Sequence, residues 1–262
     1  MGLSIRHILD MTSLLPADIH LILDTARSMK EISLRPVKKV PTLRGKTIVS
    51  FFYEPSTRTK VSFDLAAKRL SADAISLSAS SSSMTKGETL IDTAKNLEAM
   101  RPDIIVLRHS SAGAPHLLTR HINVPIINAG DGMHAHPSQA LLDLMTVKEK
   151  KGHIDGLRLA IIGDIARSRV ARSNIEGFSK MGATVVVAAP PTMIPAGIET
   201  LGAEVTHDVI EAISDADVIM MLRIQKERKR AFLFSTGREY ATVYGLSLRK
   251  LKHARPDVLI MH

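Results

Sequence analysis

Two patterns of apolar residues alternate along this chain. Short continuous apolar runs, such as the one at 47–52, are typical of strands that are buried on both faces. Longer segments, such as 56–70, place their apolar residues at helical spacing instead. The alternation recurs along the chain and restarts after Gly156. It predicts an α/β fold with parallel sheets, in which helices connect successive strands.

The length of 262 residues suits two compact α/β units rather than one. We predict two doubly wound parallel-sheet domains, at 1–140 and 141–262, joined by a bridging helix at 140–150. The predicted strands lie at 47–52, 74–78, 103–107, 125–128, 157–162, 184–188, 204–206, 217–222 and 257–261. The other predicted helices are a first helix capped by Ser13 and those at 56–70, 89–100, 167–181 and 209–213.

The net charge of the chain indicates which classes of ligand it could bind. The chain has 35 Lys plus Arg against 26 Asp plus Glu, and the net charge of +9 favours an acidic small substrate or a nucleic acid. Nucleic acid is the weaker interpretation, because aromatic residues make up only 3% of the chain and no Trp is present to stack on bases.

The amino-acid composition also indicates the cellular compartment of the protein. The chain has no cysteine, which excludes disulfides, thiolate metal sites and a catalytic thiol. No signal peptide is apparent, and no apolar run approaches the roughly 20 residues of a membrane span. We therefore expect a cytoplasmic protein without a membrane partner.

The strongest candidate site follows the strand at 47–52. Ser56 occupies the N-cap position of the next helix, where unpaired backbone N–H groups and the helix dipole attract anions. Thr57 and Thr59 add hydroxyl groups, and Arg58 adds a planar fork of donors that suits two oxygens at once. Such a capped helix start is common by itself, but three hydroxyls around an arginine indicate a phosphate site.

Further polar residues follow two other predicted strands of the first domain. Arg108 comes directly after the strand at 103–107, and His136 and Gln139 lie where a helix begins after the strand at 125–128. Ligands of parallel sheets bind beyond the carboxyl ends of the strands. We therefore expect these residues to share one anion with the helix start at Ser56.

A metal site is the weaker interpretation of the nearby histidines. His134, His136 and Asp131 are close in sequence, but they lack the i, i+4 spacing of helical ligands, and no matching second pair exists elsewhere in the chain. Hydrogen bonding is the favoured role for them, and we expect no metal.

Two nucleotide-binding motifs are incomplete. Gly45-Lys46-Thr47 lacks the first glycine of a P-loop, and the turn at 163–168 lacks the second and third glycines of a dinucleotide fingerprint. We therefore expect no nicotinamide or flavin cofactor. Instead, Arg169 follows that turn and Arg223 and Gln225 follow the strand at 217–222, which predicts that the second domain binds carboxylates.

Seven segments of the chain, in order, resemble the aspartate/ornithine carbamoyltransferase family. They are Phe-Tyr-Glu-Pro-Ser-Thr-Arg-Thr at 52–59, Lys-Gly-Glu-Thr at 86–89, Arg-His at 108–109, His-Pro-Ser-Gln at 136–139, Ser-Arg-Val-Ala-Arg-Ser at 168–173, Arg-Ile-Gln-Lys-Glu-Arg at 223–228 and Val-Tyr-Gly-Leu at 243–246. Ser138 stands where the ornithine enzymes carry a cysteine, and with Arg223 and Gln225 it favours aspartate as the acceptor.

The resemblance implies transfer of the carbamoyl group of carbamoyl phosphate to the α-amine of L-aspartate, in pyrimidine synthesis and without a cofactor. In the family pattern, the phosphate is held by Ser56, Thr57, Arg58 and Thr59. The carbonyl oxygen is polarised by Arg58, Arg108 and His136, and the carbamoyl amino group meets Gln139. Ser82 and Lys86 reach the site from a neighbouring subunit, and the aspartate carboxylates are held by Arg169, Arg223 and Gln225.

These assignments imply a homotrimer with shared active sites, to which a regulatory or dihydroorotase-type subunit could be added. Two alternatives stay open on the sequence: a non-catalytic scaffold subunit of the same family, and a carbamoyltransferase for another amino acid such as ornithine. A scaffold has no use for Arg58, Arg108, His136 and Arg223 together, which favours the enzyme.

Family members also carry a closing C-terminal helix beyond the position of His262. Burial of apolar surface stabilises a fold by about 25 cal/mol per Å². The 262-residue chain is therefore expected to be less stable, and less active, than a chain extended with such a helix.

Overall fold

A computed structural model describes residues 2–78, 87–224 and 236–262 of the chain. The chain divides into two compact units, Met1–Gln139 and Ala140–His262. Each unit is built on a wholly parallel sheet, which confirms the predicted fold class. None of the helices in the described ranges is long and apolar enough to span a membrane.

The first unit orders its four strands β2-β1-β3-β4, and the helix α5 begins at its end and continues into the second unit. The elements are α1 (Pro16–Ser33), β1 (Thr47–Phe52), α2 (Thr57–Arg69), β2 (Asp73–Ser78), α3 (Leu90–Ala99), β3 (Ile104–His109), α4 (Ala114–Thr119), β4 (Ile126–Asp131) and α5 (Pro137–Lys151). The predicted strands lie within three residues of these bounds at each end.

Alternation along the strands of the first unit creates two apolar layers. On one face, Phe51 and Leu107 pack with residues of α3 and α4, which include Leu97 and Leu118. On the other face, strand residues such as Val106 pack with α2. Helices therefore cover both faces of the sheet, as expected for parallel strands.

The second unit orders its five strands β7-β6-β5-β8-β9. Its elements after α5 are β5 (Arg158–Ile162), α6 (Arg169–Lys180), β6 (Thr184–Ala188), β7 (Ala203–Thr206), α7 (Val209–Ile213), β8 (Val218–Met221), α8 (Gly237–Tyr244), α9 (Leu248–Leu251) and β9 (Leu259–Met261). Ile162, Val186 and Ile219 lie on one face of this sheet and pack with Ile213 of α7.

The sequence prediction was wrong at the start of α1. The helix begins at Pro16 rather than after Ser13, whose backbone N–H donates to Asp10 Oδ1 at 2.8 Å. The side chain of Asp18 accepts from the N–H of Leu15 at 3.1 Å and satisfies the helix start from inside the first turn. The bridging helix was predicted too short, because α5 starts three residues earlier, at Pro137.

Three short helices, α4, α8 and α9, were not predicted, and the last two are tied together by Lys250. This residue is 8% exposed, and its Nζ donates to the carbonyls of Thr242 at 3.0 Å and Gly245 at 2.9 Å, and also to that of Val243. These carbonyls lie at the C-terminal end of α8, where backbone carbonyls lack hydrogen-bond donors from within the helix. A cation there also meets the negative end of the helix dipole.

We expect Lys250→Met to lower the free energy of unfolding by about 1–2 kcal/mol, because three carbonyls would lose a charged donor. Burial of the ammonium lowers the pKa of Lys250 and so reduces the size of this effect. Denaturant titration measures the difference. Lys252→Met, at an exposed position two residues further on, is the matched control. Equal stability of the two variants would contradict the capping role.

Candidate active site

Both sheets have a point where the strand order reverses. In the first unit this point lies between β1 and β3, and in the second it lies between β5 and β8. Chain connections leave such neighbouring strands in opposite directions, so a crevice forms beyond their carboxyl ends. The predicted site residues that the structure describes lie after these strands, after β4, and at the helix starts that follow.

The start of α2 forms the first part of the site. Ser56 is the N-cap residue, and its Oγ lies 3.4 Å from the N–H of Thr59 and 2.9 Å from Thr59 Oγ1. Thr57 and Arg58 are exposed, and no acidic residue lies in the first turn. The helix start therefore presents donors and a positive charge without a competing carboxylate on its own first turn.

Arg108 lies beside this helix start at the end of β3. Its partner across the parallel ladder is Phe52, the last residue of β1, and its carbonyl accepts from the N–H of Tyr53 at 2.8 Å. The guanidinium is 8% exposed and donates to Glu54 Oε1 at 3.0 Å and to the carbonyl of Ala129 at 3.2 Å. The fork of donors is thereby fixed at the carboxyl ends of β1, β3 and β4.

Glu54 is a residue of this site that the sequence analysis did not assign. Its carboxylate pairs with Arg108, so an anionic ligand of Arg108 would compete with it. The sequence contained the information needed to assign Glu54 to this site, because Glu54 lies inside the segment 52–59. A carboxylate within a predicted phosphate site needs a cationic partner nearby.

Two aromatic rings line the same strand ends. The rings of Tyr53 and His109 lie with centroids 4.5 Å apart. Burial raises the pKa of Tyr53 to about 12. Burial also lowers the pKa of His109, despite the hydrogen bond from Ser111 and the nearby carboxylates. Both rings are therefore neutral at neutral pH, and the positive charge of this edge resides on the arginines.

His136 and Gln139 lie at the start of α5. His136 is buried, Ser138 Oγ lies 3.3 Å from its Nδ1, and its carbonyl accepts from the N–H of Gln139 at 3.0 Å. The turn before them passes close to β3, since the N–H of Gly132 donates to the carbonyl of His109. A Cβ at position 132 would lie 2.7 Å from a backbone nitrogen, so only glycine fits.

Asp131 holds this turn in place. Its carboxylate is fully buried and accepts from Asn128 Nδ2 at 2.8 Å and from the N–H groups of Gly113 at 2.7 Å and Ala135 at 3.1 Å. Burial by itself would raise the pKa of Asp131, but hydrogen bonds from His134, Asn128 and Gly113 outweigh it and hold the pKa low. The structure groups Asp131 and His134 with His116, rather than with His136 as the sequence suggested.

The second unit places two predicted residues after neighbouring strands. Ser168 caps α6 by accepting from the N–H of Ala171 at 3.0 Å, and Arg169 follows it with 5% exposure. Arg223 is exposed and lies two residues after the end of β8. The ends of β5 and β8 are close, since a Cβ at Gly163 would lie 2.8 Å from Leu222 Cβ.

Three predicted site residues, Ser82, Lys86 and Gln225, lie outside the described residues. The other nine lie in two groups, one in each unit, and each group lies beyond the carboxyl ends of the strands of its own sheet. Each group contains two arginines. An anion held by the first unit and a carboxylate held by the second are the ligands that such edges favour.

Comparison with known proteins agrees with these features. Residues 6–149 match the carbamoyl-P binding domain of the aspartate/ornithine carbamoyltransferases, and residues 155–262 match their Asp/Orn binding domain. The aspartate carbamoyltransferase catalytic subunit of Desulfosudis oleivorans is 79% identical over 262 residues, which are 100% of this chain and 84% of the relative. That of Geobacter sulfurreducens is 57% identical over 263 residues, covering 100% of this chain and 85% of the relative.

Solved structures give the same result. Aspartate transcarbamoylase from Trypanosoma cruzi, in complex with carbamoyl phosphate and aspartate, has a TM-score of 0.86 at 28% identity and covers 98% of this chain and 84% of its own. Ornithine carbamoyltransferase from Pyrococcus furiosus has a TM-score of 0.86 at 33% identity, with the same coverage. The chain belongs to the aspartate/ornithine carbamoyltransferase family.

Proposed function

We propose that this protein transfers the carbamoyl group of carbamoyl phosphate to the α-amine of L-aspartate, giving N-carbamoyl-L-aspartate and phosphate. The observation that carries the proposal is the pairing of β1 with β3, which sets the hydroxyl-rich start of α2 beside Arg108. The reaction belongs to pyrimidine synthesis, and the lack of cysteine fits a cytoplasmic enzyme.

The first unit would bind carbamoyl phosphate. Ser56, Thr57, Arg58 and Thr59 surround the phosphate at the helix start, and Gln139 receives the carbamoyl amino group. We propose 1–140 and 141–262 as the two domains, and the two compact units of the chain support this division. The name of the family domain that matches residues 6–149, a carbamoyl-P binding domain, supports this assignment.

Hydrogen-bond donors that are held in fixed positions account for the acceleration of carbamoyl transfer. The aspartate amine attacks the carbonyl carbon, and negative charge grows on the carbonyl oxygen as the bond to phosphate breaks. Arg58, Arg108 and His136 are assigned to that oxygen, where each preorganised donor contributes roughly 3 kcal/mol. Phosphate leaves and accepts the proton of the amine. Holding both substrates in line supplies much of the remaining rate enhancement.

Charge favours aspartate over ornithine. The side chain of aspartate is an anion, whereas that of ornithine is a cation. Arg169 and Arg223 follow the two strands at the reversal point of the second unit, where they would attract a carboxylate and repel an ammonium. Gln225 is assigned to the same carboxylates. The names of the most similar relatives given above, both catalytic subunits of aspartate carbamoyltransferase, favour an enzyme over a scaffold.

A homotrimer with shared active sites is supported by exposed apolar side chains on β2 and on the helix α2 that contacts it. Val61 and Leu65 on α2 and Ile75 on the edge strand β2 are exposed by 44–56%. An uncovered edge strand with apolar neighbours is a typical place for association. The segment that carries Ser82 and Lys86 follows β2 directly, so a second copy docked here would receive these residues.

Arg58→Ala should lower the turnover number by about two to three orders of magnitude, the effect of removing one donor to the developing charge. Stability should change little, because the Arg58 side chain is exposed. A carbamoyl transfer assay with aspartate, and in parallel with ornithine, measures the effect. Lys68→Ala, in the last turn of the same helix, is the control. Near-normal turnover of Arg58→Ala, or ornithine as the better acceptor, would contradict the proposal.

Mixing two inactive variants tests whether active sites are shared between subunits. Chains with Lys86→Ala and chains with Arg58→Ala should each be inactive, and their hybrids should regain transfer, because one chain supplies Arg58 and its neighbour supplies Lys86. Chains carrying both substitutions, mixed with Arg58→Ala chains, are the matched control and should stay inactive. If the first mixture also stays inactive although hybrids form, Lys86 does not act across a subunit boundary.

A further inference from the structure

Outside the proposed active site, two histidines and a carboxylate lie together in the first unit. His116 in α4, Asp131 at the end of β4 and His134 in the following turn offer one ligand atom each, and these atoms lie within 4.8 Å of one another. His134 Nδ1 is 3.0 Å from Asp131 Oδ2, and the two imidazole rings have centroids 5.5 Å apart. We call these three residues the His-Asp cluster.

One nitrogen in the cluster has no explained role. His116 Nδ1 is buried and has no hydrogen-bond partner among the described residues. The other ring nitrogen, Nε2, lies 2.8 Å from Asp10 Oδ2. The carboxylate of Asp10 accepts a hydrogen bond when the proton of the neutral ring is on Nε2, and this tautomer leaves a lone pair on Nδ1. Metal-binding histidines have this arrangement, in which a carboxylate orients the ring from behind.

Asp131 supplies a carboxylate whose orientation is already fixed. It is fully buried, and donors from Asn128, Gly113 and Ala135 hold both of its oxygens. The side chains of His116 and His134 are 37% and 41% exposed, so an ion can approach from solvent. The cluster thus combines a buried, oriented carboxylate with two imidazoles at an accessible opening.

We propose that His116, Asp131 and His134 bind a divalent transition-metal ion of the zinc type, with water completing the coordination. Two imidazoles select such ions over magnesium or calcium, which prefer oxygen ligands. This inference departs from the sequence expectation of no metal, and it is independent of the proposed function, because the ion does not take part in transfer.

The geometry requires only a modest adjustment. Zinc–nitrogen bonds of about 2.0–2.1 Å place tetrahedral ligands roughly 3.3 Å apart. Asp131 and His134 already meet this spacing. Binding therefore requires that the proton on His134 Nδ1 moves to Nε2 and that His116 approaches by up to about 1.5 Å. The bound ion would fasten α4 to the turn that precedes His136, and so stabilise the first unit.

Metal binding by the full chain, without an affinity tag, tests the proposal. After removal of metals by a chelator, the protein is dialysed against Zn²⁺ and the metal content per chain is measured. We expect one tightly held ion and a higher thermal midpoint. Substitution with Co²⁺ should give the visible absorption of a tetrahedral site with nitrogen ligands.

His116→Gln and His134→Gln should each lose the ion, the cobalt spectrum and the rise in midpoint. His121→Gln changes an exposed histidine outside the cluster and is the matched control. If the unsubstituted chain retains no metal, or if the cluster variants bind as it does, the His-Asp cluster is only a hydrogen-bonded structure. Should one cluster variant fail to fold, the other decides, since a tetrahedral cobalt spectrum from the His-Asp cluster requires both imidazoles.

Discussion

The parallel pairing of β1 with β3 is the constraint on which the first unit depends. The pairing runs from Ile48 opposite Ile104 to Phe52 opposite Arg108, so the residues that follow each strand emerge at one edge. A shift of the register by one residue would turn Phe51 away from its core layer, which fixes the register through burial. The same register places Arg108 beside the start of α2. Packing energy thus positions the groups that are proposed to bind the anion.

Positive charge is concentrated where anionic substrates would bind, and part of it is neutralised until they arrive. Arg108 and Arg169 are nearly buried, and burying a cation is costly without partners. Arg108 meets Glu54 and a backbone carbonyl, which offset that cost. A carbamoyl phosphate oxygen that displaces Glu54 would replace one partner of Arg108 with another, so the site can keep a buried arginine without binding the substrate irreversibly. The net charge of +9 adds a long-range attraction for both substrates.

The sequence predicted the strands and the strand-end arginines because both depend on local pattern. Continuous apolar runs identify buried strands wherever they occur, and parallel topology then determines which residues meet. The errors arose where one particular side-chain contact decides the outcome. Asp18 satisfies the start of α1 without Ser13, and α8 and α9 are stabilised by Lys250, whose partners are not evident from spacing. A periodic pattern is weak over four to eight residues, and it missed α4, α8 and α9 although it identified α7.

The turn between β4 and α5 contributes to the stability of the first unit and also determines where His136 lies. Asp131 accepts donors from Asn128, Gly113 and Ala135, and thereby fixes the segment that leads to His136. A histidine that polarises a carbonyl must be held within a fraction of an ångström of its productive position. Sequence spacing suggested that Asp131, His134 and His136 act as one set, but the fold separates their tasks. Asp131 and His134 secure the turn together with α4, which leaves His136 at the start of α5, at the strand edge where the anion would bind.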